Sequence, residues 1–178
     1  MRLTPQRLMG HSMVAPLASD IAGAIHTVPL YVNATEAKNV GTTLTSLMSY
    51  ELPANTLAEA GDRIVMTATI RVSSLGVPGA RFVAFYIDGD YVWSWGESSG
   101  NAALLGYEVT MVRINATTVT LVFRMITEAD TSFSECDFTT YNYDLSQSMI
   151  IEVAGQSAKV AGQDITQGYM AIDFIAAP

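Results

Sequence analysis

The sequence predicts an all-β fold: a single jelly-roll-like antiparallel β-sandwich that follows an extended N-terminal arm. From residue 44 onward, apolar side chains recur at every second position, which is the period of a strand with one buried face. Clusters of Gly, Pro, Asn and Asp separate these segments into strands of about five to ten residues, a spacing typical of sandwiches. The chain has 178 residues, enough for one domain with its own core and too few for two.

Two segments show the alternation most clearly and therefore predict the core. In Arg63–Val72 the even-numbered positions are apolar, and most of the odd-numbered ones are Arg or Thr. In Thr117–Ile126 the odd-numbered positions from Val119 to Met125 are apolar, and Thr118, Thr120 and Arg124 lie on the other face. Because a half-buried strand turns its apolar side inward, these positions are expected to be buried. The predicted core residues are Ile64, Met66, Ile70, Val119, Leu121 and Phe123.

The other predicted strands lie between turn signals. Arg81–Asp88 is apolar on both faces, which is typical of a strand that is covered on both sides. Pro78-Gly79 and Asp88-Gly89-Asp90 are turn signals at its two ends. No long helical pattern competes with this interpretation. The remaining predicted strands are Leu44–Leu52, Tyr91–Trp95, Tyr107–Asn115, Ser148–Val153 and Tyr169–Ala176.

Residues 1–30 have a different composition and are predicted to form an arm outside the sandwich domain, which spans residues 31–178. Arg2, Arg7 and Asp20 give the arm a net charge of +1. Since the whole chain has a net charge of −8, the rest of the chain carries −9. We expect the arm to be ordered by a neighbouring molecule, and the competing account is that it folds back over its own sandwich. The side chains expected to make its contacts are Arg2, Leu3, Arg7, Leu8, Met9, Met13, Leu17 and Ile21.

The charge of the chain excludes two classes of partner. The chain contains nine Lys and Arg residues and seventeen Asp and Glu residues, and its pI is about 4.5. We therefore expect no nucleic-acid partner, because phosphate contacts need a basic face. We also expect no membrane partner, since no apolar run reaches the ~18 residues of a spanning helix and anionic lipids repel an acidic chain. Only 15% of the residues are charged, which predicts that part of the surface is hidden in an assembly.

Residues that support catalysis or bind metal ions are scarce. The two histidines, His11 and His26, both lie in the arm, and Cys136 is the single cysteine. A His-rich metal site or a Ser-His-Asp site on the sandwich is therefore not expected. We predict that the protein is not an enzyme, has no catalytic or metal-binding residue and uses no cofactor.

Two features leave a binding role open. Several carboxylates lie close together in a Ser/Thr-rich stretch of the sequence. We predict that this stretch is a solvated loop, and the alternative is a cation site or an acid/base pair. Tyr91, Trp93 and Trp95 alternate in one predicted strand and are expected to share a face. Three rings in that register make a possible glycan platform, and they can equally pack in the core or in a subunit interface. The carboxylates are Glu128, Asp130, Glu135, Asp137 and Asp144.

Several short motifs resemble the β-rich domain of tailed-phage virion proteins: head fibres, decoration proteins and fibre-tip domains. Tyr50–Leu57 reads YELPANTL and is followed by Ala60-Gly61-Asp62, which resembles that family's strand, loop and "nGD" turn. Leu105–Arg113 resembles its central strand ending in Arg, with Tyr107 where a Trp is common. The segment from Gly155 to Ile165 resembles its ending. The likeness covers about residues 40–178 and leaves the arm without a counterpart.

The resemblance implies a jelly-roll-like sandwich, usually a homotrimer, exposed on a virus particle. The expected function is that of a phage virion structural protein: a capsid decoration, cement or head-fibre subunit. The arm is then expected to attach it to the major capsid protein or to another virion protein. The alternative is a receptor- or glycan-binding module of a tail fibre or baseplate. The expected location is the capsid surface of the virion, after assembly in the host cytoplasm.

Overall fold

A computed structural model describes residues 27–73, 80–97, 103–127, 130–158 and 164–177, whose regular structure is entirely β-strand. No helix in this part of the chain is long and apolar enough to cross a membrane. The strands, in chain order, are β1 (Thr27–Asn33), β2 (Ala37–Lys38), β3 (Thr45–Leu52), β4 (Arg63–Val72), β5 (Arg81–Ile87), β6 (Asp90–Glu97), β7 (Ala103–Arg113), β8 (Thr118–Thr127), β9 (Asp130–Asn142), β10 (Met149–Ser157) and β11 (Ile165–Ile175).

The strands form two antiparallel sheets that pack face to face. The larger sheet has seven strands in the order β1-β11-β4-β7-β8-β9, and β2 pairs with β11 beside this path. The smaller sheet has four strands in the order β3-β10-β5-β6. The chain passes from one sheet to the other five times after β3, so both sheets depend on distant segments. This arrangement confirms the predicted all-β, jelly-roll-like sandwich.

The core between the sheets contains the residues that the alternation predicted. All six predicted core side chains are buried, and each exposes at most 4% of its surface. Four aromatic rings from both sheets form the centre, with neighbouring centroids 5.0–6.1 Å apart. Offset and edge-to-face rings at these distances attract one another in addition to burying apolar area. The four residues are Phe85, Trp93, Tyr107 and Phe123.

The hairpin between β5 and β6 has the turn that its sequence predicts. Asp88 and Gly89 form a two-residue connection, and both have a positive φ, 51° and 83°. Such a turn matches the right-handed twist of the flanking strands, and Asp-Gly is one of its preferred pairs. The turn therefore fixes where β6 begins to pair with β5.

Two stretches of the described chain differ from their prediction. The stretch predicted to be an acidic loop forms β9, which pairs along its length with β8, because its Thr, Phe and Tyr residues suit an edge strand. The last four residues of the predicted arm belong to β1, which pairs with β11. Pro29 is compatible with β1 because this strand lies at the sheet edge. The predicted contact residues of the arm, between Arg2 and Ile21, lie outside the described residues.

Candidate functional site

The three aromatic residues of β6 do not share one face. Trp93 lies opposite Phe85, but the next pair along the hairpin is Tyr91 opposite Tyr86, so Val92 is an extra residue in β6. Such a bulge shifts the alternation by one position. Tyr91 is 53% exposed, whereas Trp93 is 8% exposed and Trp95 packs against the core. The predicted arrangement of the platform is therefore wrong, and glycan binding at this strand stays a prediction.

The bulge places Tyr91 on the outward face of the four-stranded sheet, beside Tyr86. The two rings meet edge to face, with centroids 6.0 Å apart and an interplanar angle of 70°. The hydroxyl groups of Tyr91 and Ser94 share a hydrogen bond. Tyr86 is half-buried and faces outward because its neighbours in β5, Phe85 and Ile87, face the core. The result is an exposed aromatic pair whose orientation is held by its own contacts.

Polar side chains continue the row of this aromatic pair across the sheet. Glu152 of β10 lies directly opposite Tyr86, and Ser49 of β3 lies directly opposite Glu152. Side chains directly opposite one another in antiparallel strands have Cβ atoms about 4.5–5.5 Å apart. The row Ser49–Glu152–Tyr86–Tyr91 therefore presents a hydroxyl, a carboxylate and two rings on one surface. We call these four residues the aromatic row.

A groove of about 210 Å³ lies at the other end of the same face. Gln156 lies opposite Phe82 in this groove, and its Nε2 donates a hydrogen bond of 2.7 Å to the carbonyl oxygen of Thr42. This bond fixes the orientation of the exposed Gln156 amide. Phe82 and Tyr86 are four residues apart in β5, so the groove and the aromatic row are separated by about 13 Å. The groove is lined by Thr42, Ala80, Phe82, Gln156, Ser157 and Ala158.

Two small side chains between the groove and the aromatic row are buried. Ala84 and Ala154 face outward there, opposite each other in β5 and β10, and both are almost completely buried. The two ends of the face, where Tyr91 and Gln156 are exposed, are therefore more accessible than its centre. This geometry suits an elongated ligand that rests on two separate contact regions.

A buried polar cluster lies next to the groove. Arg81 is 1% exposed, and its Nη1 donates a hydrogen bond of 2.6 Å to the carbonyl oxygen of Ser73. The Ser157 hydroxyl donates to Oδ2 of Asp164 at 2.9 Å. The second carboxylate oxygen of Asp164, like Nε and Nη2 of Arg81, is buried without a hydrogen-bond partner. Ser157 belongs to both the groove and this cluster, so the groove has a rigid polar side.

Tyrosines and carboxylates also meet near the hairpin end of the sandwich. Tyr141 stacks on Tyr143, with centroids 6.0 Å apart, and its hydroxyl donates to the Val92 carbonyl oxygen at 3.3 Å. Burial raises the pKa of Tyr143 far above its ordinary value, and the negative charges of Asp90 and Asp88 raise it further. The Tyr143 hydroxyl group is buried and has no hydrogen-bond partner. This tyrosine therefore acts as a neutral packing residue.

The clustered carboxylates were the candidate ligands for a cation. Within the described part of the chain, no group of three or more His, Cys, Asp or Glu side chains is placed to hold a metal ion. Of the five clustered carboxylates, only Asp144 has a described side chain. It accepts hydrogen bonds from the hydroxyl and backbone N–H of Ser146, and these bonds lower its pKa. Asp144 therefore stabilises its own turn.

Comparison with known proteins gives similarities of structure alone. No family model matches the chain, and no curated protein matches it. The CBM2 module of the evolved Dit of Lactobacillus casei BL23 phage J-1 is 11% identical, with a TM-score of 0.43 over 86% of this chain and 98% of that one. Peanut lectin is 8% identical, with a TM-score of 0.43 over 85% and 99%. Lectin II from Ulex europaeus is 10% identical, with a TM-score of 0.38 over 85% and 92%.

The residues of the aromatic row and the groove were mostly not predicted from the sequence. Among the described residues, Tyr91 is the one predicted site residue on this face, and Tyr86, Glu152, Phe82 and Gln156 join it through strand register. One signal was available for β5. Its alternate positions place both Phe82 and Tyr86 on the side opposite Phe85, although an apolar strand does not show which side faces solvent.

Proposed function

We propose that this chain is a glycan-binding β-sandwich module of a phage virion and that it binds through the outward face of its four-stranded sheet. The observation that carries the proposal is the outward-facing Tyr86–Tyr91 pair, which lies in one row with Glu152. Aromatic rings pack against the apolar C–H faces of sugars. Neighbouring carboxylate, amide and hydroxyl groups bond to sugar hydroxyls and fix the orientation of the ligand.

The groove supports a ligand longer than one sugar. Phe82 and Gln156 offer a second ring and a fixed amide about 13 Å from the aromatic row. Two such contact regions favour an oligosaccharide that lies along the strands. The virion context rests on the resemblance of Tyr50–Leu57 and Leu105–Arg113 to phage β-rich domains.

Glycan-array screening followed by calorimetry on the strongest ligand tests this proposal. Tyr91→Ala and Tyr86→Ala are each expected to weaken binding by about tenfold or more, because a stacked ring is removed from the contact. The matched control is Tyr169→Ala, since Tyr169 is a partly exposed tyrosine opposite Thr69 on the larger sheet. Equal affinities for all three variants and the original protein would contradict the proposed site.

A second candidate function is capsid decoration, and the composition of the arm favours it. Residues 1–30 combine scattered apolar side chains with two arginines and differ in charge sign from the rest of the chain. We propose that this segment binds the major capsid protein or another virion protein, with three chains assembled as a homotrimer on the capsid surface. The three arms of one trimer would raise its overall affinity for the particle through multivalency.

Deleting residues 2–26 tests the decoration role without removing any of β1, which begins at Thr27. The truncated chain is expected to fold, and by light scattering to remain a trimer of about three times 19.1 kDa. It should no longer sediment with particles that lack the protein. Normal sedimentation of the truncated chain with particles would argue against attachment through the arm, and a monomer of the full chain would argue against the trimer.

A further inference from the structure

We infer that the outward face of the four-stranded sheet accepts uncharged or amino-bearing glycans and rejects anionic ones. This inference rests on the proposed glycan-binding function and names the ligand class of the same site. It follows from the signs of the charges on the face, from what each polar group can donate or accept, and from the burial of the nearest cation.

The accessible charges of this sheet have one sign. Among the described side chains of β3, β5, β6 and β10, the charged groups that reach solvent are Glu51, Glu152 and Asp90. All three are carboxylates: Glu51 and Glu152 face outward, whereas Asp90 lies opposite core-facing Ile87 at the hairpin end, where Asp88 adds a fourth. A glycan that contacts Tyr86 and Tyr91 therefore lies in a negative potential, and the chain as a whole carries −8.

The one cation of these four strands cannot pair with an anionic glycan. Arg81 is 1% exposed, and its Nη1 is already bonded to the carbonyl oxygen of Ser73 inside the sandwich. The groove beside it presents Thr42, Gln156 and Ser157, which are uncharged. A sulfate, phosphate or uronate on the ligand would find no exposed positive partner among the described residues of the sheet.

The hydrogen-bonding chemistry of Glu152 also favours uncharged or amino-bearing glycans over anionic ones. An ionised carboxylate only accepts hydrogen bonds, so its partners are sugar hydroxyls and ammonium groups. A carboxylate or sulfate on the ligand also only accepts, so it would lose water without gaining a bond and would repel Glu152. An amino sugar stacked on Tyr86 would instead place its charge about one strand spacing from Glu152, where attraction adds to stacking. The row therefore discriminates by repelling the wrong ligands as well as by binding the right ones.

A glycan array with matched pairs tests this inference. Each neutral glycan is printed beside its sialylated, sulfated or uronate counterpart and, where one exists, its amino counterpart. The anionic member of each bound pair is expected to be weaker by about tenfold or more at low salt, and the difference should shrink as salt screens the charges. Preference for the anionic member of the pairs would overturn the inference.

Glu152→Gln separates the charge from the shape of the site. The amide has nearly the same size but no charge, so, relative to the neutral ligand, the variant is expected to bind the amino counterpart less tightly and the anionic counterpart more tightly. The matched control is Glu108→Gln on the larger sheet, where Glu108 pairs with exposed Arg124 at 3.2 Å, and it should leave the preference unchanged. Identical preferences for Glu152→Gln and the control would also overturn the inference.

The two proposals fail in different ways. If Tyr91→Ala weakens binding but charge makes no difference, glycan binding at this face stands and only the charge selectivity is wrong. If Tyr91→Ala and Tyr86→Ala both leave every affinity unchanged, the proposed site is wrong, and the inference about its ligand fails with it.

Discussion

Replacing Trp93 by Ala is the most direct test of the bulge in β6. The indole ring lies 5.4–6.0 Å from the rings of Phe85, Tyr107 and Phe123, and only 8% of the residue is exposed. Each aromatic pair contributes roughly 0.5–1.5 kcal/mol beyond the burial of its area. Truncating a buried Trp to Ala costs about 3–5 kcal/mol in total, because the surroundings close the cavity only in part.

The expected signal is large enough for calorimetry or urea unfolding. For a chain of this length, each kcal/mol lowers the melting temperature by about 2–4 °C, so Trp93→Ala should lower it by about 6–20 °C. The matched control is Tyr91→Ala, which removes a ring that is 53% exposed and should change stability by less than about 1 kcal/mol. If Tyr91→Ala proved to be the more destabilising of the two, the strand would be shifted by one residue and the reasoning about its faces would be refuted.

Two further predictions concern buried polar groups. Ser157→Ala removes the donor to Oδ2 of Asp164 and should lower the free energy of unfolding by about 1–3 kcal/mol, whereas Ser49→Ala on the exposed face should change it by less than about 0.5 kcal/mol. Equal effects in urea titrations would contradict this. Because the folded state holds the Tyr143 proton more tightly than the unfolded chain, its contribution to stability is present below pH about 10 and is lost as the pH rises above it. Tyr143→Phe should therefore reduce the loss of stability at alkaline pH, and an unchanged alkaline slope would show that another group causes it.

The fold could be predicted largely from the alternation of apolar residues. In β4 and β8 one face is apolar and the other carries Thr and Arg, so both the strand and its buried side were evident. β9 was missed because polar Ser, Thr and carboxylate residues are also typical of loops. Whether such a stretch is a strand depends on β8, which supplies its hydrogen bonds. The first four residues of β1 were assigned to the arm for a similar reason, since Pro and scattered apolar residues also suit an edge strand.

The candidate site could not be predicted in the same way because it arises from pairing between distant strands. Tyr86 and Glu152 meet only because β5 pairs with β10, and a shift of one residue would turn one of them toward the core. The sequence around Val92 contains no signal that predicts the bulge. Tyr91, Trp93 and Trp95 have the spacing of one face, and only the register of the hairpin shows that Tyr91 lies on the other.

The extra residue in β6 makes the position of exposed Tyr91 independent of the position of buried Trp93, which a regular strand would not allow. In an unbroken strand, inserting or deleting one residue exchanges the core-facing and solvent-facing side chains along the rest of its length. Here the irregularity lies between the turn and Trp93, so a change in length next to Tyr91 can be absorbed before the core contacts begin. A one-residue change in length at the exposed end of β6 is therefore expected to leave the packed indole in place. A surface that recognises a variable target benefits from this independence, because its contact residues can diversify without loss of folding.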